Sequence, residues 1–364
     1  LGTVAGSGHA KIAGFESFVF FNAGAAVYRY NGSSFGTVSF PDGARVKSIA
    51  VGASRLLCIR ENTGTFYYSD ILNTNIGGLN FATAESSPDF LQDLLYVGDR
   101  LVLFGSKTVE FWEPTTDQDA PFQPVIGMVY PKGIKQTGAC CEVMSTFAWV
   151  TDNNQLCIAE PDNIISPPDL NDKIAKSTTV RLWTFFIDGV EFLALTLDNR
   201  TYVYNVSTSL WSEFTSYGKD NWICRCWANG VFGSSEDGRI LQWSEDYSDF
   251  GEELERRFRA WAPILNGNIT LNSLHLRLAP GLTPFLTGPL SDPVAELRIS
   301  DNGGFTWTSW AQRRMGVSGD YRKTVRWNSM GSYAFPGVLI EVRVTDPVPF
   351  RMSGFYANQP GGNV

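Results

Sequence analysis

The sequence predicts an all-β chain, a β-propeller of about six meander blades followed by a β-sandwich-like C-terminal module. Three observations carry this. Aromatic residues make up 13% of the 364 residues and glycine supplies 35, while runs of Ala, Leu, Glu and Lys at helical spacing are nearly missing. A phrase of short strand, tight turn and second strand ending in aromatics returns at intervals of roughly 35 to 50 residues, the spacing of propeller repeats. Beyond Trp243 that rhythm stops, and longer strands of alternating apolar and charged residues take over. One small twisted sheet cannot cover both of its own apolar faces, whereas several packed radially can.

The first copy reads Phe18-Val19-Phe20-Phe21, a turn at Asn22-Ala23-Gly24, then Ala26-Val27-Tyr28-Arg29-Tyr30. The second joins Ile49-Ala50-Val51 and Leu56-Leu57-Cys58-Ile59 to Thr65-Phe66-Tyr67-Tyr68 through Asn62-Thr63-Gly64. The third runs from Leu94-Leu95-Tyr96-Val97 through Gly98-Asp99 and Leu101-Val102-Leu103-Phe104 to Thr108-Val109-Glu110-Phe111-Trp112. A weaker fourth pairs Thr146-Phe147-Ala148-Trp149-Val150 with Leu156-Cys157-Ile158 across Asp152-Asn153-Asn154. The fifth turns at Asp198-Asn199 between Phe192–Thr196 and Thr201–Tyr204, closing with Trp211. The sixth sets Trp222–Trp227 against Val231-Phe232-Gly233 across Asn229-Gly230, then runs through Glu236-Asp237-Gly238 to Ile240–Trp243.

The polar stretch from Ser244 to Glu253 reads as a linker or loop. The propeller is assigned to residues 1–258 and the C-terminal module to 259–364, with the strands Leu274–Leu278, Ala295–Ile299, Thr324–Trp327 and Val338–Val344 half-buried by their alternation. A tail at Gly361-Gly362-Asn363 is expected to fray. The chain begins with Leu1, and a further segment upstream is expected.

Charge and chemistry narrow the function. With 29 Lys and Arg against 37 Asp and Glu, the net charge of −8 argues against a general nucleic-acid binder. No apolar run reaches the roughly 18 residues a membrane helix needs. Six cysteines, Cys58, Cys140, Cys141, Cys157, Cys224 and Cys226, are too few for a disulfide scaffold and read as buried reduced thiols, with Cys224 and Cys226 on one side of a strand. Two histidines, His9 and His275, without metal-ligand spacing, leave no zinc site and no cofactor or metal is expected. Gly6-Ser7-Gly8-His9-Ala10-Lys11 lacks the ending of a phosphate loop, and no Gly-x-Ser-x-Gly elbow exists, so no catalytic residue is assigned.

Two features remain. Ser300-Asp301-Asn302-Gly303-Gly304-Phe305-Thr306-Trp307 is similar to the Asp-box of sialidases and related propellers, with Asn302 where the box has Asp; Ser300, Asn302, Gly304, Thr306 and Trp307 are read as a turn-stabilising set. Basic residues concentrate at Arg256, Arg257, Arg259, Arg313, Arg314, Arg322, Lys323 and Arg326, an expected interface because Arg grips carboxylates and phosphates bidentately.

Several stretches together resemble the packaged-DNA stabilisation proteins, also called tail accessory or tail hub proteins, of short-tailed phages. They are Val4–Gly8, Val27–Gly32, Phe104–Trp112, Lys132-Gly133-Ile134 with Gln136-Thr137-Gly138, Arg322–Gly331 and Ile340–Val348. The resemblance implies a non-enzymatic virion protein, assembled in the host cytoplasm. It implies a homohexameric ring, the hub or nozzle of the tail, below the portal and the head-to-tail adaptor. Such a ring extends the DNA channel, retains packaged DNA until ejection without reading its sequence, and carries a tailspike or tail fibre and a tail needle. The alternative is a carbohydrate-active or glycan-binding propeller of the Asp-box kind.

Overall fold

The computed structural model describes residues 2–6, 9–24, 26–84, 87–234, 236, 238–264 and 267–357. Ser7, Gly8 and Asp237 of the stretches quoted above, and the tail at 361–363, lie outside them. The chain divides into two compact units, one of residues 1–215 with 220–243 and one of 216–219 with 244–364. The division falls where the repeating phrase stops. The strand Arg256–Pro263, which crosses position 258/259, pairs along its whole length with Gly337–Val344 and counts with the second unit.

Among the described residues the first unit is built from six consecutive antiparallel meanders spanning 11–37, 46–83, 91–130, 140–158, 181–214 and 224–242. Sheets four and six have three strands each and the others four. Each sheet begins with its innermost strand: Lys11–Phe15, Val46–Gly52, Leu91–Val97, Cys140–Val143, Arg181–Ile187 and Cys224–Ala228 pack one against the next in chain order. The apolar cores lie between successive sheets. Sheet two shows why its strand Arg55–Arg60 reads as an unbroken apolar run: Leu56 and Cys58 enter the core shared with sheet one, and Leu57 and Ile59 the core shared with sheet three. The widest core joins sheets three, four and five around Trp149, which is fully buried, and a cluster of Trp183, Phe185, Trp222 and Phe232 joins five to six. Burying an aromatic of this size contributes about 2–3 kcal/mol.

Between sheets four and five runs the helix Pro168–Lys176, which the sequence reading does not anticipate. Pro168 starts it without losing a needed donor. Leu170 and Ile174, four apart, bury on one face, and the Ser177 hydroxyl donates to the Lys173 carbonyl at 2.8 Å near its end. A second difference concerns the thiols. Cys224 and Cys226 do not share a side, because a bulge between them shifts the strand's register; Cys224 is buried and Cys226 exposed, so the expectation of buried thiols fails at Cys226 and is met only in part at the half-buried Cys141.

The second unit is a sandwich. One sheet has the strand order Arg256–Pro263, Gly337–Val344, Val294–Ser300, Ala311–Arg314; the other has Val325–Asn328, Ser273–Leu278, Met352–Ala357. Leu274, Leu276, Val325 and Trp327 of one meet Ala295, Leu297, Ile299, Ile340 and Val342 of the other. The stretch expected as a linker or loop carries a small hairpin, Ser248–Asp249 paired with Glu252–Glu253.

Candidate functional site

The most constrained polar group of the first unit is Asp93, on the innermost strand of sheet three and wholly buried. Its carboxylate is ion-paired with Lys11 of sheet one and accepts from the Ser48 hydroxyl of sheet two at 2.6 Å. It also accepts the Gly138 amide, on the approach to sheet four, at 2.7 Å and its neighbour Leu94's amide at 2.8 Å. The Lys11 ammonium donates further to the Leu94 carbonyl at 3.1 Å. The Leu182 amide of sheet five in turn donates to the Gly138 carbonyl at 2.9 Å. The starting ends of five inner strands therefore meet at one buried knot.

Burial opposes both charges of this pair, and their attraction outweighs it. Burial pushes the Asp93 carboxyl up, yet Lys11's charge and the hydrogen bonds from Lys11, Ser48 and Gly138 hold it below the usual carboxylate range. Burial pushes Lys11 down, and Asp93 raises it above an ordinary lysine. His9 lies beside them with Nδ1 buried and without a hydrogen-bond partner; burial drives its pKa down to about 4, against the pull of Asp93. Gly138 is the one glycine this arrangement demands: its φ is +85°, and a Cβ there would stand 2.6 Å from the His9 ring.

In the second unit, the Asp-box-like turn is closed by its own side chains. Asn302 Oδ1 accepts the Thr306 amide at 2.9 Å while Nδ2 donates to the Thr306 hydroxyl at 2.7 Å. The Ser300 hydroxyl accepts the Gly304 amide at 2.8 Å, and the Trp307 indole donates to the Gly304 carbonyl at 3.0 Å. The turn lays Trp307 and Trp310 over a charged sheet face. Glu341, fully buried, stands opposite Arg259 on one side and Arg298 on the other, accepting from Arg259 Nε at 2.7 Å and Arg298 Nε at 2.6 Å. Trp307 lies 5.1 Å from the Arg259 guanidinium and 4.5 Å from Arg298's; Trp310 lies 4.4 Å from Arg298's and 4.0 Å from Arg343's. Arg343 also holds Glu296; burial pushes that carboxyl up, but Gln312 and Arg343 lower it further.

The eight basic residues of the expected interface therefore separate. Arg256 is committed to the Val348 and Asp346 carbonyls, Arg257 to Glu255, and Arg259 to Glu341 and Trp307. Arg313 and Arg314 are exposed and donate to main-chain carbonyls, Arg313 to Arg326 at 3.0 Å and Arg314 to Asp292 at 2.7 Å. Arg322, Lys323 and Arg326 are exposed too. Sequence reasoning missed Arg298, Arg343, Glu296, Glu341 and Trp310. The signal was present, as Glu296 with Arg298 and Glu341 with Arg343 are opposite charges two residues apart on one strand face.

Among the described residues no group of three His, Cys, Asp or Glu side chains could hold a metal ion. An open groove of about 200 Å³ beside the helix is lined by Asp169, Lys173, Tyr202, Trp211 and Glu213 among others, with the Lys173 ammonium 4.9 Å over the Tyr202 ring.

Six meanders in radial succession with cores between them define the first unit as a β-propeller. The model of one family, Phage_stabilise, described as "Bacteriophage P22 Gp10, beta-propeller", matches residues 1–224, and the chain belongs to this family of phage stabilisation proteins. No curated protein matches the chain. Among solved structures, Hsv2 of Kluyveromyces lactis is similar at 12% identity over 57% of this chain and 73% of its own, with a TM-score of 0.33. Hsv2 of Kluyveromyces marxianus is similar at 8% identity over 62% and 69%, with a TM-score of 0.38. The extracellular domain of a B. thetaiotaomicron protein described as a hybrid two component system is similar at 11% identity over 84% and 43%, with a TM-score of 0.42.

Proposed function

We propose that this chain is a structural subunit of a short phage tail, several copies of which form a ring, most simply of six, below the portal and adaptor. In this reading the ring continues the DNA channel, retains packaged DNA and supports spikes or a needle. The chain acts by joining copies of itself and neighbouring tail proteins, and performs no catalysis. The observation that carries the reading is the family match, which spans sheets one to five and reaches the start of sheet six.

The electrostatics agree with a passive channel wall. Residues 1–215 and 220–243 hold 16 Lys and Arg against 25 Asp and Glu, so the propeller has little hold on a passing polyanion. Its most buried ion pair ties sheets together. In the second unit, Arg313 and Arg314 present forks suited to carboxylates of a neighbouring subunit.

The test is the copy number of this chain in purified phage particles, with Arg313→Glu and Arg314→Glu together as the perturbation. Multiple copies per particle are expected for the wild type, and at least a tenfold loss for the double variant with its unfolding midpoint unchanged. Absence of the chain from particles would refute the reading.

A further inference from the structure

The outer face of the three-stranded sheet in the second unit has no partner within that unit's core. Leu274, Leu276, Val325 and Trp327 point inward, and the alternate residues His275, Arg277, Arg326 and Tyr356 point outward. His275 and Tyr356 stack with ring centres 5.1 Å apart, Arg326 stands opposite His275 in the sheet, and Arg313 is bonded to the Arg326 carbonyl. None of the three strands contains Asp or Glu. Residues 256–357 as a whole hold twelve Lys and Arg against six Asp and Glu, and Glu296 and Glu341 are spent in ion pairs on the other sheet.

The propeller carries the opposite sign on one of its ends. Because the inner strands of sheets one to five start together at the Asp93 knot, the turns after the first and third strands of these sheets fall at the far end, as does the turn after the first strand of sheet six, which packs on sheet five. Those turns, residues 16–17, 31–34, 53–54, 69–80, 98–99, 115–121, 144–145, 159–162, 188–189, 206–209 and 229–230, contain Glu16, Asp70, Asp99, Asp117, Asp119, Glu160, Asp162 and Asp188 and no Lys or Arg, with Asp162 paired to Lys132 from outside them. Turns at the knot end mix both signs, Asp89, Asp152 and Asp198 alternating with Lys107, Lys135 and Arg200.

We infer that the cationic outer sheet of one copy docks on the acidic turn end of the propeller of a second copy. This rests on the ring proposed above and names the two surfaces that would close it. A head-to-tail contact between two different surfaces generates a ring when the rotation closes, as a self-complementary one does not. Two strands of six residues and one of four cover at most roughly 15 by 20 Å, well under the ~800 Å² per partner of a standard interface. The contact therefore steers and orients the copies, and apolar surface elsewhere supplies the remaining area.

The experiment is a charge exchange read as copies of the chain per purified particle. Arg277→Glu with Arg326→Glu is expected to lower the count at least tenfold, and Glu16→Lys with Asp119→Lys to do the same. Combined in one chain, the four substitutions are expected to restore it to within threefold of wild type. All four positions are exposed, and a thermal midpoint within a few degrees of wild type verifies folding. Should the reversals unfold the chain, Arg277→Gln with Arg326→Gln is expected to lower the count at least threefold. Undiminished incorporation of the reversed chains overturns the pairing while leaving the ring intact. A loss that the exchange does not rescue, with wild type but not the arginine variant retained on immobilised duplex DNA, assigns the face to DNA and overturns it as well. One copy per wild-type particle removes the ring reading itself.

Discussion

Replacing Asp93 by leucine should destabilise the propeller more than any surface change. The substitution strands the Lys11 ammonium in a buried site and leaves the Ser48 hydroxyl and the Gly138 amide without their acceptor. Breaking a buried ion pair at one partner costs about 3–5 kcal/mol, and each orphaned donor adds about 1 kcal/mol. Lys11 retains its bond to the Leu94 carbonyl, which keeps the expectation near the lower end of the sum, about 5 kcal/mol. For a unit of this size that lowers the midpoint by roughly 10 °C. Urea unfolding followed by tryptophan fluorescence measures it, since Trp112, Trp149, Trp183 and Trp222 all lie in propeller cores. Lys11→Met combined with Asp93→Leu should recover about half or more of the loss, because two matched apolar groups leave no uncompensated charge. A loss below about 1 kcal/mol for Asp93→Leu alone would refute the view that this pair knits the sheets.

Three further outcomes follow from the same geometry. His9 has a folded-state pKa of about 4 against 6.5 unfolded, so folding favours its neutral form; stability should be full above pH 6.5 and fall by about 3 kcal/mol as the pH drops to 4, and His9→Gln should remove that part of the slope in pH-dependent urea unfolding. Asn302→Ala should cost the second unit about 1–2 kcal/mol in thermal unfolding, while Asn302→Asp, which keeps the acceptor for the Thr306 amide, should cost far less. In the native protein at neutral pH a thiol reagent should titrate Cys226 rapidly and the others slowly, as burial holds Cys157 up at about 11 and Cys140 and Cys141 well above an ordinary thiol.

The sheets were legible because their turns carry their own chemistry. Gly98-Asp99 and Asn229-Gly230 adopt the paired positive φ that a two-residue hairpin requires, and so does Asp188-Gly189, which the sequence reading passed over. Ala53-Ser54 and Met144-Ser145 adopt it too, without the residues that favour it, which is why the corresponding turns carry no signal in the sequence. The helix Pro168–Lys176 escaped because nine residues with one apolar pair give too little periodicity. The Asp93 knot escaped for a different reason: Lys11 lies 82 residues from Asp93, and Ser48 and Gly138 lie 45 on either side. Between Ser48 and Asp93 that interval is the repeat itself, each lying two residues into its inner strand, whereas Gly138 lies two residues before the strand Cys140–Val143. The Arg–Trp face was half visible, since clustering of arginines, like the Glu255 beside Arg257, is a sequence property, whereas the carboxylate that claims Arg259 is a consequence of register.

The central claim, a propeller-and-sandwich subunit repeated around a phage tail, is tested most directly by electron microscopy of particles in which this chain bears a compact tag. The account predicts a ring of equivalent tag densities around the tail axis. A single off-axis density, or untagged tails beside free tagged chain, would contradict it.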